Sequence, residues 1–288
     1  MIYLESFELP GKNVQSDTVS DLHKRCYPYH VFDEDLPVLE MSNITILYGG
    51  NGSGKTTILN LISEKLGLPR STPFNRTPFF EKFVNQCRLR RAGDDTGYPD
   101  PIPLQSRFIC SDDVFEHILR LREQNNARDL AADRAGLQWG REQFRRMKLD
   151  SNEQGGFDAF LAHMDARRST RGRFVRRHAQ EAEREYSNGE SAYYYFTQAI
   201  GEQGLYLLDE PENSLSPNLQ LDLVDFLAAS ATCGAQLIIA THSPLLLNIK
   251  GARIYDLDHY PIMQRPWYEL ENVQLLFHFF NQHRDLFL

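Results

Sequence analysis

Ile44-Thr45-Ile46-Leu47-Tyr48-Gly49-Gly50-Asn51-Gly52-Ser53-Gly54-Lys55-Thr56-Thr57 is the stretch that decides the fold. Its first five residues are apolar or β-branched, as a buried strand requires, and they stop at a glycine cluster. From Thr56 to Leu66 the residues Ile58, Leu59, Leu61 and Ile62 fall at helical spacing. The order is strand, loop, helix, and the loop from Gly49 to Thr56 matches G-x-x-x-x-G-K-[ST]. Glycines let backbone N–H groups turn inward around phosphates, and the helix N-terminus adds partial positive charge. Lys55 can reach the outer phosphates and the Thr56 hydroxyl can ligate Mg²⁺. The whole run, Gly49, Gly50, Asn51, Gly52, Ser53, Gly54, Lys55, Thr56 and Thr57, is the expected cradle for a triphosphate.

Two further apolar runs, Gly204 to Leu208 and Gln236 to Ala240, have the length of buried strands, and an amphipathic stretch from Pro217 to Ala231 separates them. Strands alternating with helices imply an α/β fold whose parallel sheet is covered on both faces. The first of these strands ends in Asp209-Glu210-Pro211. An uncompensated carboxylate at the end of a buried strand is costly, so Asp209 calls for a cation or strong hydrogen bonds. Glu210 then stands where a water must be aligned for attack on a terminal phosphate, a task of positioning and electrostatics.

Together these motifs resemble the ATP-binding-cassette (ABC) ATPases, in particular the branch that includes SMC proteins, double-strand-break-repair ATPases and ATPases of phage-defence systems. The resemblance covers residues 44–66 and 186–245. It implies a P-loop NTPase head with a mainly parallel sheet flanked by helices, using ATP and Mg²⁺, with Thr56 and Asp209 at the metal. Ser187-Asn188-Gly189-Glu190 is similar to the family's signature loop, in which Ser187, Gly189 and Glu190 would complete the nucleotide site of an opposing copy. Two copies would then close around two nucleotides, so a homodimer or a higher even oligomer is expected. Asn213 to Pro217 occupies the place of the D-loop, with Ser216 where an Asp is common, and His242 follows its strand as the switch histidine does. On this reading Lys55, Glu210 and His242 are the catalytic set. The Q-loop is not recognisable: Arg107 to Cys110 resembles its strand, Gln105 precedes it, and Ser111 and Asp112 after it either substitute or cap a helix. Tyr27, Tyr29 and Phe32 are open alternatives for stacking on adenine or packing in the core.

Composition frames the rest. Of 288 residues, 41% are hydrophobic and 24% charged, which fits a folded domain with an insertion. No apolar run is long enough for a bilayer, and the scattered Cys26, Cys87, Cys110 and Cys233 form no metal or disulfide pattern, so a cytoplasmic protein without a membrane partner is expected. The net charge of −8 argues against a chain that coats nucleic acid over its whole surface. Residues 116–184 nevertheless carry +4, and within them Arg167, Arg168, Arg171, Arg173, Arg176 and Arg177 fall in eleven positions. That run is either a patch for nucleic acid or an acidic protein, or a hydrated face with local ion pairs. The expected organisation is a head of residues 1–114 and 186–288 interrupted by a helical insertion, 115–185, with helices near 114–124, 126–148 and 172–186. Residues 68–106, with six prolines, read as irregular surface structure. The apolar tail, Leu275 to Phe280 and Leu286 to Leu288, is expected to fold back onto the core, with docking on a partner subunit as the alternative. No nuclease or protease constellation is present in the sequence, so the expected role is to regulate or assemble a separately encoded effector in a DNA-repair or phage-defence complex, with a membrane transporter's nucleotide-binding subunit or an ATP-dependent scaffold with little hydrolysis as the alternatives.

Overall fold

The computed structural model describes residues 1–11, 26–32, 36–74, 76–144, 164, 166–178 and 187–287. Asn152 to Gly156 and most of the insertion's second half lie outside them, as does the helical segment expected over 179–186. The chain divides into two units, residues 1–115 with 187–288, and residues 116–186.

Among its described residues the first unit holds two sheets. Strands β3 (Ile44–Tyr48), β5 (Arg107–Cys110), β6 (Gly204–Asp209), β7 (Ala235–Thr241) and β8 (Arg253–Asp256) lie in the order β5-β6-β7-β3-β8, all parallel, and β9 (Met263–Gln264) closes the edge antiparallel to β8. Every residue of β3 and β7 is buried, so these central strands read as continuous apolar runs without alternation. Helices α1 (Lys55–Leu66), α5 (Asn188–Ala199), α6 (Pro217–Thr232) and α7 (Pro244–Leu247) connect or flank them, with α8 (Glu271–Gln282) last. The expectation of a mainly parallel sheet flanked by helices is met. Because β3, β5, β6 and β7 run the same way, Tyr48, Cys110, Asp209 and Thr241 end at one edge, where loops emerge to build a site.

The second sheet is antiparallel, β2 (Leu39–Glu40), β1 (Leu4–Glu8) and β4 (Arg88–Arg91) in that order. Side chains of the main sheet fasten it: Arg253 and Tyr255 on β8 donate to the Glu40 carbonyl at 2.7 and 3.0 Å, and Gln236 reaches β1. Gln236, wholly buried on β7, accepts from Tyr3 N and Leu4 N at 2.8 and 2.9 Å and donates to the Leu4 carbonyl at 2.7 Å.

Two expectations for this unit are corrected. Residues 68–106 contain the helix α2 (Phe80–Gln86) as well as β4, and Phe80 and Phe83 are fully buried in the main core. The prolines end elements and set turns between them but do not abolish structure. The apolar tail does not fold back: Leu275, Phe277, Phe279, Phe280, Leu286 and Phe287 are exposed, and Val273 is the one buried residue of α8.

The second unit contains most of α3 (Ser111–Phe144) and α4 (Arg171–His178). The Gln124-Asn125-Asn126 step does not interrupt α3, so one helix replaces the two expected there. Trp139 Nε1 donates to the Ser169 carbonyl at 3.1 Å, and Phe174, Ala166 and Ala135 are buried. Among the described residues no helix is long and apolar enough to cross a membrane.

Candidate functional site

The loop between β3 and α1 forms a cavity of about 450 Å³ lined by His30, Val31, Asn51, Gly52, Gly54, Lys55, Thr56, Thr57 and Glu210. Its shape depends on Gly54, which has φ +94° and whose added Cβ would stand 2.7 Å from the Phe32 ring. Lys55 is buried and turns back to donate to the Gly49 and Gly50 carbonyls at 2.7 and 2.9 Å. Ser53 Oγ is buried without a hydrogen-bond partner, an unmet polar group in the cradle itself. On the outer side, Asp258 accepts the Gly50 N–H with both carboxylate oxygens at 2.8 and 2.9 Å, an anchor the sequence did not suggest.

The acidic strand end meets the cradle. Thr56 Oγ1 donates to Asp209 Oδ1 at 2.9 Å, so the two residues expected at the metal are neighbours. Burial pushes the Asp209 carboxyl up from 3.8 to about 6, opposed by the Thr56 hydrogen bond and reinforced by the nearby Glu210 charge. An oxygen pair that loses its water without gaining a cation has this character, and the hydroxyl and carboxylate are the hard donors Mg²⁺ prefers. The residues present therefore fit Mg²⁺ with a triphosphate.

Glu210 lies past the strand with φ +48°, a conformation costly for a non-glycine residue, and its N–H still bonds the Ala240 carbonyl at 2.9 Å. Asn213 Nδ2 holds its carboxylate at 3.0 Å, and His242 Nδ1 stands 3.9 Å from the other oxygen. Glu212 went unnoticed in the sequence although it organises this corner. Its Oε1 accepts from Thr241 Oγ1, His242 N and Ser243 N at 2.7, 3.0 and 3.2 Å, and lies 3.4 Å from His242 Nδ1. The available signal was a third acid just after Glu210, too close to the strand end to be solvated freely. Asn272 at the start of α8 donates to the His242 carbonyl at 2.7 Å and to Tyr48 Oη at 3.3 Å from its backbone.

Ser187 caps α5 with the reciprocal bonds of a capping box: Glu190 N donates to Ser187 Oγ at 3.3 Å, and Glu190 Oε2 accepts from Ser187 N at 2.9 Å. Gly189 is pressed against the D-loop position, since an added Cβ would lie 3.1 Å from the Ser214 carbonyl and 3.1 Å from Leu219. Ser187, Gly189 and Glu190 do not line the cradle of their own chain. Ser216 is the N-cap of α6, its Oγ accepting from Leu219 N.

The open assignments sort by position. Gln105 sits before β5, at the end of the sheet away from the cradle, and bonds the Gln203 carbonyl at 3.1 Å. Asp113, not Ser111 or Asp112, binds back to Cys110 N and to Thr72 N, both at 2.9 Å. Tyr29 and Phe32 are core residues packed on Phe83, and Tyr27 stacks on Phe80 at 5.7 Å. His30 and Val31, between those aromatics, are the ones that reach the cradle. In the second unit Arg167, Arg168, Arg171, Arg173 and Arg176 are exposed, while the side chain of Arg177 is outside the described residues.

Residues 111–248, just under half of the chain, match the family model described as "AAA domain, putative AbiEii toxin, Type IV TA system". The match begins after the Gly49–Thr56 loop and includes Asp209, Glu210 and His242. No curated protein matches the chain. Solved structures of similar fold include the Smc head domain bound to the C-terminal domain of ScpA from Pyrococcus furiosus, 13% identical, covering 97% of this chain and 100% of that one, TM-score 0.45. The SMC head domain from Thermotoga maritima is 14% identical over 88% of this chain and 94% of that one, TM-score 0.34. The cbiO1 subunit of an ABC transporter complex from Clostridium perfringens is 13% identical over 98% and 96%, TM-score 0.38. The G-x-x-x-x-G-K-T loop between β3 and α1 and the acidic pair at the end of β6 sit on a mainly parallel sheet flanked by helices, the arrangement of a P-loop NTPase fold, and over residues 111–248 the chain is similar to that AAA-domain family.

Proposed function

We propose that the chain binds ATP with Mg²⁺ and hydrolyses it to ADP and phosphate in a pair of copies that enclose two nucleotides. The observation that carries this reading is the 2.9 Å bond from Thr56 to Asp209, which joins the phosphate cradle to a carboxylate that burial has left short of a counter-charge. Lys55 and the backbone of Gly52 to Thr57 hold the phosphates, with Lys55 releasing the Gly49 and Gly50 carbonyls to do so. Mg²⁺ held by Thr56 and Asp209 would draw charge from the outer phosphates. Glu210, fixed by Asn213, orients a water toward the terminal phosphate, and His242 beside it donates to a phosphate oxygen and senses its loss.

Pairing follows from the signature loop. Ser187, Gly189 and Glu190 form a helix N-terminus suited to an anion, yet they do not line the cradle of their own chain, so a second copy would present them to it. We further propose that nucleotide state gates a separately encoded effector in a defence or repair complex. The toxin–antitoxin wording of the matched family and the exposed arginines of the second unit, suited to an acidic protein or nucleic acid, support that role.

Turnover and nucleotide binding measured on two variants test the reading. Lys55→Ala should lose ATP binding by 10-fold or more, the scale of one charge-assisted contact or larger. Glu210→Gln should bind ATP normally, hydrolyse it at least roughly 100-fold more slowly and accumulate as a closed pair. Turnover unchanged in both variants would refute the assignments.

A further inference from the structure

Helix α8 has two unlike sides. Gln274, His278, Asn281 and Gln282 share one, while Val273, Leu276, Phe277 and Phe280, flanked by Leu275 and Phe279, form an apolar face about 200° wide at 100° per residue. A face that broad belongs to a helix covered along its whole length, and here only the first turn is covered. Val273 is buried, but Leu275 is 64% exposed, Phe277 59% and, just beyond the helix, Leu286 82%. The rings support one another, Phe279 against Phe280 at 5.5 Å and Phe280 against Phe287 at 6.0 Å, so they form a plate with a defined shape.

The size and charge of this plate point to its occupant. At roughly 200 Å² per large apolar side chain, the exposed parts of these residues sum to about 830 Å². That exceeds the roughly 300–600 Å² of the largest apolar patch on an ordinary monomer and reaches the roughly 800 Å² per partner of a stable interface. No Asp, Glu, Lys or Arg occurs between Glu271 and Arg284. In a chain of net charge −8, two identical copies repel across most of their surfaces, and an uncharged apolar plate is where they meet without placing like charges together. A two-fold axis lays the same plate on itself, apolar to apolar throughout.

We propose that α8 with Leu286 and Phe287 is a docking surface for a second copy of this chain, and that it holds the pair together without nucleotide. This goes beyond the ATP-enclosing pair, which needs a filled cradle. Asn272 ties the first turn of α8 to the His242 carbonyl, so the pre-formed pair is anchored next to the loop that reads the terminal phosphate. ATP then rearranges copies that are already together.

Light scattering on the full chain at about 20 µM, a concentration that populates a micromolar complex, tests the proposal. Without nucleotide the wild type should have about twice the 33.3 kDa chain mass. The double variant Leu275→Glu/Phe279→Glu should have the single-chain mass with an unchanged circular-dichroism spectrum, and Lys55→Ala should pair like the wild type. If the double variant misfolds, Phe279→Cys on a Cys233→Ser background replaces it, with a covalent pair on mild oxidation as the expected result. A wild type that is monomeric without nucleotide, a double variant that stays paired, or a Cys variant that does not cross-link overturns the proposal. Nucleotide-free pairing combined with no ATP-induced change in Glu210→Gln would leave this surface standing and remove the enclosed-nucleotide pair, so the two ideas fail separately.

Discussion

At the scale of single residues, the site's chemistry and its stability pull against each other. Asp209 titrates near 6 in the folded, metal-free chain and near 3.8 when exposed, because burial disfavours its charge. A folded pKa raised above the unfolded value means the folded state binds the proton more tightly. The contribution of this one group to stability is therefore fully present below about pH 4, is lost as pH rises through 6, and stays absent above it. Asp209→Asn should remove that dependence and raise stability of the metal-free protein at pH 7.5 by about 1–3 kcal/mol in chelator, while turnover disappears; a melting temperature with no gain would contradict this account of the carboxylate. Glu212 shows the opposite balance. It holds three donors of the Thr241-His242-Ser243 loop on one oxygen, so Glu212→Ala leaves them unmet and should cost about 2–3 kcal/mol. With His242 released, turnover should drop while ATP affinity holds, which denaturation curves and equilibrium binding read separately. Lys55, Thr56, Asp209 and Glu210 were legible in the sequence because each belongs to a local pattern of fixed spacing. Glu212, Asp258 and His30 were not: their roles come from strands and loops far apart in the chain, as the bond between Asp258 and Gly50, 208 positions away, shows.

At the scale of elements, strands buried on both faces were the easiest to read and the links between sheets the hardest. β3, β6 and β7 announce themselves as unbroken apolar runs, and their parallel order follows from the helices between them. Gln236 looked like the polar first residue of such a run, yet its amide joins β7 to β1, where it behaves as a piece of backbone inserted between two sheets. Gln236→Leu keeps the volume and removes both acceptor and donor, stranding Tyr3 N, Leu4 N and the Leu4 carbonyl in a dry interior. We expect a loss of about 3–5 kcal/mol and early hydrogen exchange in β1. Protection of β1 equal to wild type would show that other contacts hold that sheet. The structure within residues 68–106 was hidden for a similar reason: α2 is a short amphipathic helix of about two turns whose Phe80 and Phe83 find partners on Tyr27, Tyr29 and Phe32, and no local periodicity reports such distant packing.

At the scale of the whole molecule, the segregation of charge makes two kinds of association respond oppositely to salt. The chain carries −8, yet residues 116–184 carry +4, leaving −12 for the remainder. Copies that approach through the acidic head repel at long range, and added salt screens that repulsion across a Debye length of about 10 Å at 0.1 M. The nucleotide contacts inside an enclosed pair are short-ranged and screened much less. On the Leu275→Glu/Phe279→Glu background, which removes the nucleotide-free pair, ATP-driven pairing of Glu210→Gln should therefore tighten severalfold between about 50 and 300 mM salt. Binding of an anionic polymer by Arg167, Arg168, Arg171, Arg173 and Arg176 must do the reverse. Each phosphate neutralised releases counterions, so five contacts on a duplex would weaken association by roughly three orders of magnitude over the same range. Sedimentation of Glu210→Gln on that background with ATP, and fluorescence anisotropy of a short labelled duplex with the wild type, measure the two slopes on the same salt series. A flat anisotropy slope would assign the arginines to hydration and local ion pairs, and pairing that weakens with salt would place the basic segment, rather than the acidic head, at the meeting surface of the copies.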